Sequence, residues 1–305
     1  MTRLAVAIAL LLAACGGSSN PGDDDGPADA RVDSPQPPDG WTSLLEGDWT
    51  LNSNEEAYVC VYATIPADLY LDAMKPLNPP GTHHTVLTRY TGNAPDGTVR
   101  CNVGENGENM IYGSGVGAPE FAFPAGVGLF LPAGSRLLLN LHLYNATDDP
   151  ISGRSGTWAK TTTAAAVPNL AELVLAGPTL TLRVPKGTST QSGTCQINDV
   201  ASGPIQVFAL SQHMHKLGKS MRSVVTRGAQ EIVLQDVPYD FDEQVFHLTP
   251  QLIELRPGDT LTTYCSYDNT TGAEVAFGPS SDDEMCFTDL FYYPAQGASY
   301  ICSGF

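Results

Sequence analysis

Short runs of alternating apolar and polar residues, separated by turns rich in Gly, Pro, Asn and Asp, fill the chain from about residue 43 onward. A period of two residues is typical of β-strands, whose successive side chains point to opposite faces of a sheet. The runs predict strands at 56–65, 82–90, 136–145, 179–185, 204–215, 230–237, 252–267 and 288–294. Only residues 169–177 fit a helical period for longer than two turns, and a short helix is expected there.

Many short strands at even spacing predict an all-β fold of antiparallel β-sandwich or jelly-roll type. The 30 Gly and 23 Pro residues suit such a turn-rich protein better than a helical one. A boundary near residue 175 divides the chain into an N-terminal module, 43–175, and a C-terminal module, 176–305, each of ordinary domain size. The sequence therefore predicts two antiparallel β domains.

The first 15 residues resemble a bacterial lipoprotein signal: Arg3, then an apolar run too short to span a membrane, then Leu12-Ala13-Ala14-Cys15. Cleavage would leave Cys15 as a lipidated N-terminus. An ordinary secretory signal with a chance cysteine is the alternative. We expect a protein of the bacterial cell envelope, an outer-membrane lipoprotein facing the periplasm or the cell surface, that contacts the membrane only through the lipid at Cys15.

Residues 16–42 have almost nothing to bury, and we expect a disordered tether there. The whole chain carries 15 Lys and Arg against 33 Asp and Glu, a net charge of -18. Phosphate binding needs clustered cations, so this balance argues against a nucleic-acid partner.

Six cysteines remain after Cys15, an even number that predicts three disulfides in an exported chain. They allow 15 pairings, and their spacing does not choose among them. A zinc–thiolate site is disfavoured because the chain has no C-x-x-C motif. The six are Cys60, Cys101, Cys195, Cys265, Cys286 and Cys302.

Five of the six histidines fall into three tight groups, and a methionine follows them. On a strand, His213 and His215 project from one face about 6.6 Å apart (two residues at ~3.3 Å), a spacing at which two imidazoles reach one metal ion. Imidazole with thioether suits copper that cycles between Cu(I) and Cu(II). The candidate ligands are His83, His84 and His142 in the first module and His213, His215 and Met285 in the second.

The first set needs irregular backbone, because adjacent His83 and His84 cannot share a face of a regular strand. A β-bulge or a strand end is expected after the Pro79-Pro80-Gly81 turn. In the run 136–145, alternating leucines would face a core and leave His142 on the other face. Asn140 and Tyr144 lie beside it there, and we expect them to orient the ligands by hydrogen bonds. Each histidine group by itself also fits an ordinary surface position.

These motifs, in this order, resemble the copper type II, ascorbate-dependent monooxygenases, the family of peptidylglycine α-hydroxylating monooxygenase and dopamine β-hydroxylase. The likeness runs from about Ala57 to the C-terminus. It implies two jelly-roll-like β domains, each holding one copper across a solvent-filled cleft. His83, His84 and His142 would hold an electron-transfer copper, and His213, His215 and Met285 the copper that binds dioxygen. It also implies ascorbate or a similar one-electron donor, dioxygen and a small-molecule substrate.

The resemblance also selects one disulfide pattern. It implies a bridge in the first domain and two in the second, the last of which would restrain the loop of Met285. The pairs are Cys60–Cys101, Cys195–Cys302 and Cys265–Cys286.

The chain departs from the peptidylglycine enzyme at the positions that serve the substrate's carboxylate. Ser211, Phe287 and Asp289 stand here in place of an arginine, an asparagine and a tyrosine. If a strand begins at Met285, Phe287 and Asp289 share its face. Our hypothesis is that Asp289 faces the cleft and favours a neutral or cationic substrate. A solvated Asp289 at a sheet edge is the alternative.

Two other functions fit the same sequence. A non-catalytic surface lipoprotein that binds or buffers copper would use the same ligands but consume no oxygen. A carbohydrate- or protein-binding β-sandwich with incidental histidines would hold no copper at all. Copper content and ascorbate-dependent oxygen uptake separate the three.

Overall fold

Antiparallel strand pairing accounts for most of the computed structural model, which describes residues 35–297 and 301–303. The only helix in this part of the chain is one turn, α1 (Ile197–Val200), and no helix there is long and apolar enough to cross a membrane. The all-β prediction is confirmed. The predicted signal with Cys15, and most of the predicted tether, lie outside the described residues.

Eleven strands before residue 171 form two sheets. The order of the first is β1-β10-β3-β8-β11 with β7 on β3, and that of the second is β5-β2-β9-β4-β6. The strands are β1 (Thr42–Leu51), β2 (Glu56–Thr64), β3 (Leu69–Leu77), β4 (Thr82–Arg89), β5 (Gly97–Arg100), β6 (Asn109–Gly115), β7 (Phe121–Ala122), β8 (Val127–Leu131), β9 (Arg136–Tyr144), β10 (Ile151–Thr162) and β11 (Asn169–Leu170).

Eleven further strands form a five-stranded sheet, β18-β15-β21-β12-β22, a four-stranded sheet, β14-β19-β16-β17, and the pair β13-β20. They are β12 (Glu172–Ala176), β13 (Arg183–Val184), β14 (Gly187–Gln196), β15 (Ile205–Met214), β16 (Gly218–Arg227), β17 (Gln230–Pro238), β18 (His247–Leu255), β19 (Thr260–Asn269), β20 (Val275–Ala276), β21 (Cys286–Tyr293) and β22 (Ile301–Cys302).

The change from one set of sheets to the other falls between Leu170 and Glu172, because β12 spans residue 175 and pairs only with later strands. At the other end, the ring of Trp41 lies under the ammonium groups of Lys75 and Lys160, so Trp41 already contacts the first group of strands. The described residues belong to one compact unit, and the division into two domains stays a prediction.

Each pair of large sheets encloses apolar side chains. In the first pair, Leu137, Leu139 and Leu141 of β9 point inward, as their alternation predicts, and are fully buried. The sheets approach so closely that a Cβ at Gly47 of β1 would lie 2.5 Å from the Val61 side chain of β2. Burial at these positions is the main stabilising term.

Strand β21 is buried on both faces. Leu290 and Tyr292 pack into the core of the second group, whereas Phe287 and Phe291 join the core of the first group. The sheet β18-β15-β21-β12-β22 therefore lies between two layers, and apolar packing is continuous between the first and second groups of strands. A cluster of phenylalanines fills this junction: Phe121, Phe123, Phe208, Phe246 and Phe291.

Three predictions of secondary structure are wrong. The run 252–267 is not one strand: it holds the end of β18 and most of β19, joined by a turn in which Asp259 N–H donates to the Arg256 carbonyl. Residues 169–177 are not helical, because β11 pairs with β8 and β12 pairs with β21 and β22. A strand covered on both faces loses its alternation, so its apolar run is indistinguishable from a buried helix. The run 179–185 contributes only the two residues of β13, since Leu182 N–H closes a turn on Thr179.

The three disulfides pair as the family resemblance implies. One bridge fastens the 101–108 loop to β2, and the other two hold β14 to β22 and β19 to β21. The predicted pairing is confirmed for all three.

Candidate metal centres

Strand pairing brings the first three histidines together. His142 of β9 lies directly opposite His84 of β4, while Thr82 pairs with Leu143, so the two residues His83 and His84 oppose the single residue His142. This is the β-bulge that adjacent histidine ligands require, and its presence confirms the expectation.

The Nδ1 atoms of these histidines converge. His84 Nδ1 lies 3.1 Å from His83 Nδ1 and 3.4 Å from His142 Nδ1. Two nitrogens bound at ~2.0–2.1 Å to one ion, at ~100–120° to each other, lie roughly 3.1–3.6 Å apart. Both distances from His84 fit this range, and the ligand atoms of all three side chains lie within 4.8 Å of one another, so the group could hold a single metal ion; we call it the three-histidine set.

The neighbours of His142 differ from those expected. Its Nε2–H donates to Glu56 Oε1 over 2.6 Å, and its ring stacks on Tyr58 with centroids 4.5 Å apart. Asn140 instead donates to the Glu105 carbonyl, and Tyr144 is 48 % exposed. The Glu56 carboxylate fixes the tautomer of His142 and leaves Nδ1 available to bind metal. From the sequence, this orienting role was expected of Asn140 and Tyr144.

Burial keeps these imidazoles neutral. It lowers the pKa of His83 to about 4 and holds the pKa of His84 well below its usual value. The pKa of His142 is also lowered by burial, against the opposing effect of Glu56. Metal binding to neutral imidazole displaces no proton near neutral pH.

The second set is assembled at the end of β15 and the start of β21. The rings of His213 and His215 lie 5.3 Å apart, and His213 Nε2 is 3.2 Å from Met285 Sδ. Each ring is fixed by its other nitrogen: His213 Nδ1–H donates to Gln244 Oε1, and His215 Nδ1–H donates to the Asp283 carbonyl. The Nε2 atom of His213 therefore points toward the Met285 sulfur, and we call His213, His215 and Met285 the His-His-Met set, a second candidate ligand set.

Glu284 ties the two arms of the His-His-Met set together. Its side chain is fully buried and accepts the backbone N–H groups of His215, over 3.0 Å, and of Leu217, over 2.8 Å. It also directly precedes Met285 in the chain. Burial raises the pKa of Glu284 to about 7, while those N–H groups act in the opposite direction.

Replacing Glu284 by glutamine is expected to weaken copper binding at the His-His-Met set by about 10- to 100-fold, because orienting residues of metal ligands carry effects of that size. The amide places an NH2 group against backbone donors, which should also cost roughly 1–3 kcal/mol of unfolding free energy. Competition with a Cu(I) chelator and thermal melting of the metal-free protein measure both effects. Asp282→Asn, at a neighbouring carboxylate that is 87 % exposed, is the control and should change neither.

One segment touches both ligand sets. The bridging segment, residues 239–246 between β17 and β18, places the ring of Phe241 4.9 Å from that of His83 and hydrogen-bonds His213 through Gln244. Tyr239 anchors it by donating its hydroxyl to the Met214 carbonyl. The sequence offered no sign of this role, since the segment has neither a strand pattern nor a ligand motif.

A cavity of about 410 Å³ lies between the two groups of strands, and both ligand sets border it. His84 contributes from the first set, and His213, His215 and Met285 from the second.

The three positions at which the chain departs from the peptidylglycine pattern lie together on this cavity. Ser211 of β15 pairs with Asp289 of β21, Phe287 pairs with His213, and all four line the space. Residues missed from the sequence are Glu56, Tyr58, Gln244 and Glu284; of these only Glu284, next to Met285, had any local signal.

The donor chemistry of the two sets favours copper. The three-histidine set offers neutral nitrogens, and the other set adds a thioether, a soft ligand typical of Cu(I) and absent from ordinary zinc sites. The second metal-like cluster in the described residues, Cys60, Cys101 and Glu105, is excluded because its cysteines form a disulfide.

Residues 170–304 match the model of a known protein family, described as the copper type II ascorbate-dependent monooxygenase, C-terminal domain. Putative DBH-like monooxygenase protein 2 of Homo sapiens is 28% identical over 246 residues, 73% of this chain and 49% of that protein. DBH-like monooxygenase protein 1 of Mus musculus is 32% identical, over 67% of this chain and 35% of that protein. Dopamine beta-hydroxylase of Rattus norvegicus is 32% identical, over 59% of this chain and 31% of that protein.

The chain thus spans less than half the length of these curated relatives. Among solved structures, the infectious bursal disease virus VP2 subviral particle superposes with a TM-score of 0.23 at 9% identity, a likeness that carries no argument.

Proposed function

We propose that this chain, which belongs to the copper type II ascorbate-dependent monooxygenase family, hydroxylates an activated C–H bond of a small organic substrate. The observation that carries the proposal is the pair of ligand sets bordering one cavity. The cavity volume lies within the usual range for small-molecule sites.

Bound copper would supply one-electron redox chemistry and the activation of dioxygen. The overall reaction balances as R–H + O2 + 2 electrons + 2 H⁺ giving R–OH + H2O, with ascorbate or a similar donor delivering the electrons one at a time. With one copper held by each ligand set, both electrons could be stored before substrate is oxidised.

The two ligand sets suit different parts of this reaction. The three-histidine set, held by Glu56 and Tyr58, suits electron storage because three fixed imidazoles hold a metal without a soft ligand. The His-His-Met set suits dioxygen activation, because the Met285 thioether stabilises the reduced metal. Phe246, Phe277 and Phe287 line the cavity and would give the substrate an apolar surface to pack against.

Oxygen consumption tests the proposal directly. Copper-loaded protein with ascorbate and a panel of amines, alcohols and peptides should consume oxygen in step with the appearance of one hydroxylated product. A surface protein that only buffers copper would bind two coppers per chain, yet show no substrate-dependent oxygen uptake with any member of the panel. A β-sandwich with incidental histidines would bind none.

The protein is further proposed to be an exported lipoprotein of the bacterial cell envelope, anchored through Cys15. The support is the pattern of residues 1–15 and the three disulfides, which form in oxidising compartments. Expression in a bacterial host with radiolabelled palmitate should label the wild type but not Cys15→Ser. Equal labelling of the two, or none of either, would contradict lipidation at this residue.

A further inference from the structure

The exposed part of the cavity wall is confined to two loops. Among the residues that line the cavity, Gly104, Asn106 and Pro279 are exposed, and all the others are buried or half-buried. Gly104 and Asn106 belong to the loop between β5 and β6, and Pro279 belongs to the loop between β20 and β21. The mouth of the cavity therefore lies where a loop of the first group of strands meets a loop of the second.

The two loops touch at Gly104 and Pro279. A Cβ atom placed on Gly104 would lie 2.8 Å from Pro279 Cβ and 2.9 Å from Pro279 Cγ, closer than non-bonded carbon atoms pack. The φ angle of Gly104 is +74°, in the left-handed region that glycine adopts readily. The backbone conformation and the missing side chain of Gly104 together allow the first loop to close against the proline ring.

The contact between the two loops is weak. No hydrogen bond joins residues 102–104 to residues 277–285 within the part of the chain that the structure describes. The loops meet there through van der Waals contact alone, and each pair of non-bonded atoms contributes little attraction. Separation of the two loops at this point should therefore cost little free energy.

The first loop is held firmly on both sides of its tip. Cys101 is bridged to β2, and Glu105 accepts the hydroxyl of Tyr62 over 2.6 Å. The backbone N–H of Gly107 donates to a threonine hydroxyl of β4 over 2.8 Å. Residues 102–104 form the turn between the first two of these anchors, and all three residues are exposed. The tip can therefore move while the rest of the loop stays in place.

The second loop is braced by its own contacts. Ser280 N–H donates to Asp283 Oδ2 over 3.2 Å, and Asp283 N–H donates to the Ser280 carbonyl over 2.9 Å. Gly278 N–H donates to the carbonyl of the buried Glu284 over 3.3 Å. These bonds lie on both sides of Pro279 and fix it in place, so the part of the mouth that can move is the tip of the first loop.

We infer that residues 102–104 form a flap that closes the mouth of the cavity by resting on Pro279, and that ligands enter when this flap lifts. A molecule must pass this rim to reach His213 or Met285, because the remaining wall is buried or half-buried. The inference concerns entry alone and does not require the cavity to be catalytic. In the proposed reaction, the flap would open for the substrate and again for the hydroxylated product.

A disulfide between the two loops tests the inference. Gly104→Cys with Pro279→Cys should bridge the flap to its support after an outward shift of about 1 Å, since the Cβ atoms of a disulfide lie about 3.8 Å apart. Gly104→Ser with Pro279→Ser is the matched control, because serine resembles cysteine in size and cannot form a bridge. Both proteins carry the same backbone strain at position 104.

A thiol inside the cavity reports entry. Ser211→Cys is added to the locked protein and to its serine control, because Ser211 lines the cavity and is only 5 % exposed. The rate at which N-ethylmaleimide labels this thiol in full-length, metal-free protein is followed by mass spectrometry. The locked protein should react at least about 10-fold more slowly than the serine control, which should react within about 3-fold of Ser211→Cys alone. Non-reducing peptide mapping checks the bridge, and thermal melting checks the fold.

Two results would overturn the inference. Equal labelling of the locked protein and its serine control would mean that ligands enter elsewhere. Failure of the cysteine pair to bridge in a protein that melts like the wild type would mean that the loops do not meet at Gly104 and Pro279. Slow labelling of the locked protein, with no oxygen uptake by the wild type on any substrate, would support the flap and contradict the proposed function; equal labelling beside substrate-dependent oxygen uptake would do the reverse.

Discussion

Met285→Ala is expected to lower substrate-dependent oxygen uptake by at least about 100-fold while one copper per chain remains bound. The sulfur lies 3.2 Å from His213 Nε2, and its removal takes away the only soft ligand of the His-His-Met set. Substitution even of residues that merely orient metal ligands costs 10–100-fold, so loss of a ligand should cost at least as much. Two histidines alone do not favour the reduced metal that must meet dioxygen.

The scaffold around Met285 makes this variant interpretable. Tyr267 donates its hydroxyl to the Met285 carbonyl over 2.7 Å, and Cys286 is bridged to Cys265. Both contacts hold the main chain, so the shorter side chain should leave the fold intact. Copper is counted by elemental analysis after reduction and gel filtration, beside thermal melting. Met110→Ala, which removes another thioether from the cavity wall, should retain two coppers. Undiminished turnover by Met285→Ala would contradict the assignment of dioxygen activation to the His-His-Met set.

His84→Ala is expected to have the reciprocal effect. His84 Nδ1 lies within 3.4 Å of both other nitrogens of the three-histidine set, so its loss leaves only two donors in the set. Copper should disappear from this set and remain at the His-His-Met set. Turnover with ascorbate should again fall by at least about 100-fold, because only one of the two electrons can then be stored.

The two variants together separate the sites. Carbon monoxide, a ligand for Cu(I), should still bind reduced His84→Ala and should not bind reduced Met285→Ala. His247→Ala is the matched control, since His247 is exposed at the start of β18 and belongs to neither set; it should keep both coppers and full turnover. Loss of both coppers from His84→Ala would mean that the sets are not independent.

The local sequence pattern was sufficient to predict the strands that carry the candidate metal ligands. The leucines of 136–145 alternate because one face of β9 meets a core, and this predicted the opposite face for His142. Adjacent histidines after a Pro-Pro-Gly turn required a bulge, which the register between Thr82 and His84 contains. The H-x-H spacing predicted two side chains on one face, since that geometry depends only on neighbouring residues.

The local sequence pattern gave wrong or missing predictions where contacts between distant segments determine the structure. Strand β12 was predicted as a helix because both of its faces are covered and alternation disappears. The orienting partners of His142 were sought along its own strand, at Asn140 and Tyr144, whereas Glu56 and Tyr58 come from the neighbouring strand β2. Gln244 reaches His213 from a segment with no recognisable motif. Sequence distance carries no information about such contacts.

By itself, the sequence determined the all-β fold class, the acidic charge and the identities of the six copper-ligand candidates, because these follow from composition, short-range periodicity and motif order. Only the tertiary structure decided that the two ligand sets border one cavity, that Glu284 and Gln244 orient the second set, and that Asp289 is buried on the same cavity. The physical reason is that the burial of a side chain and the compensation of its charge depend on the residues that pack against its face of the sheet. Those residues come from strands that are far apart in the chain.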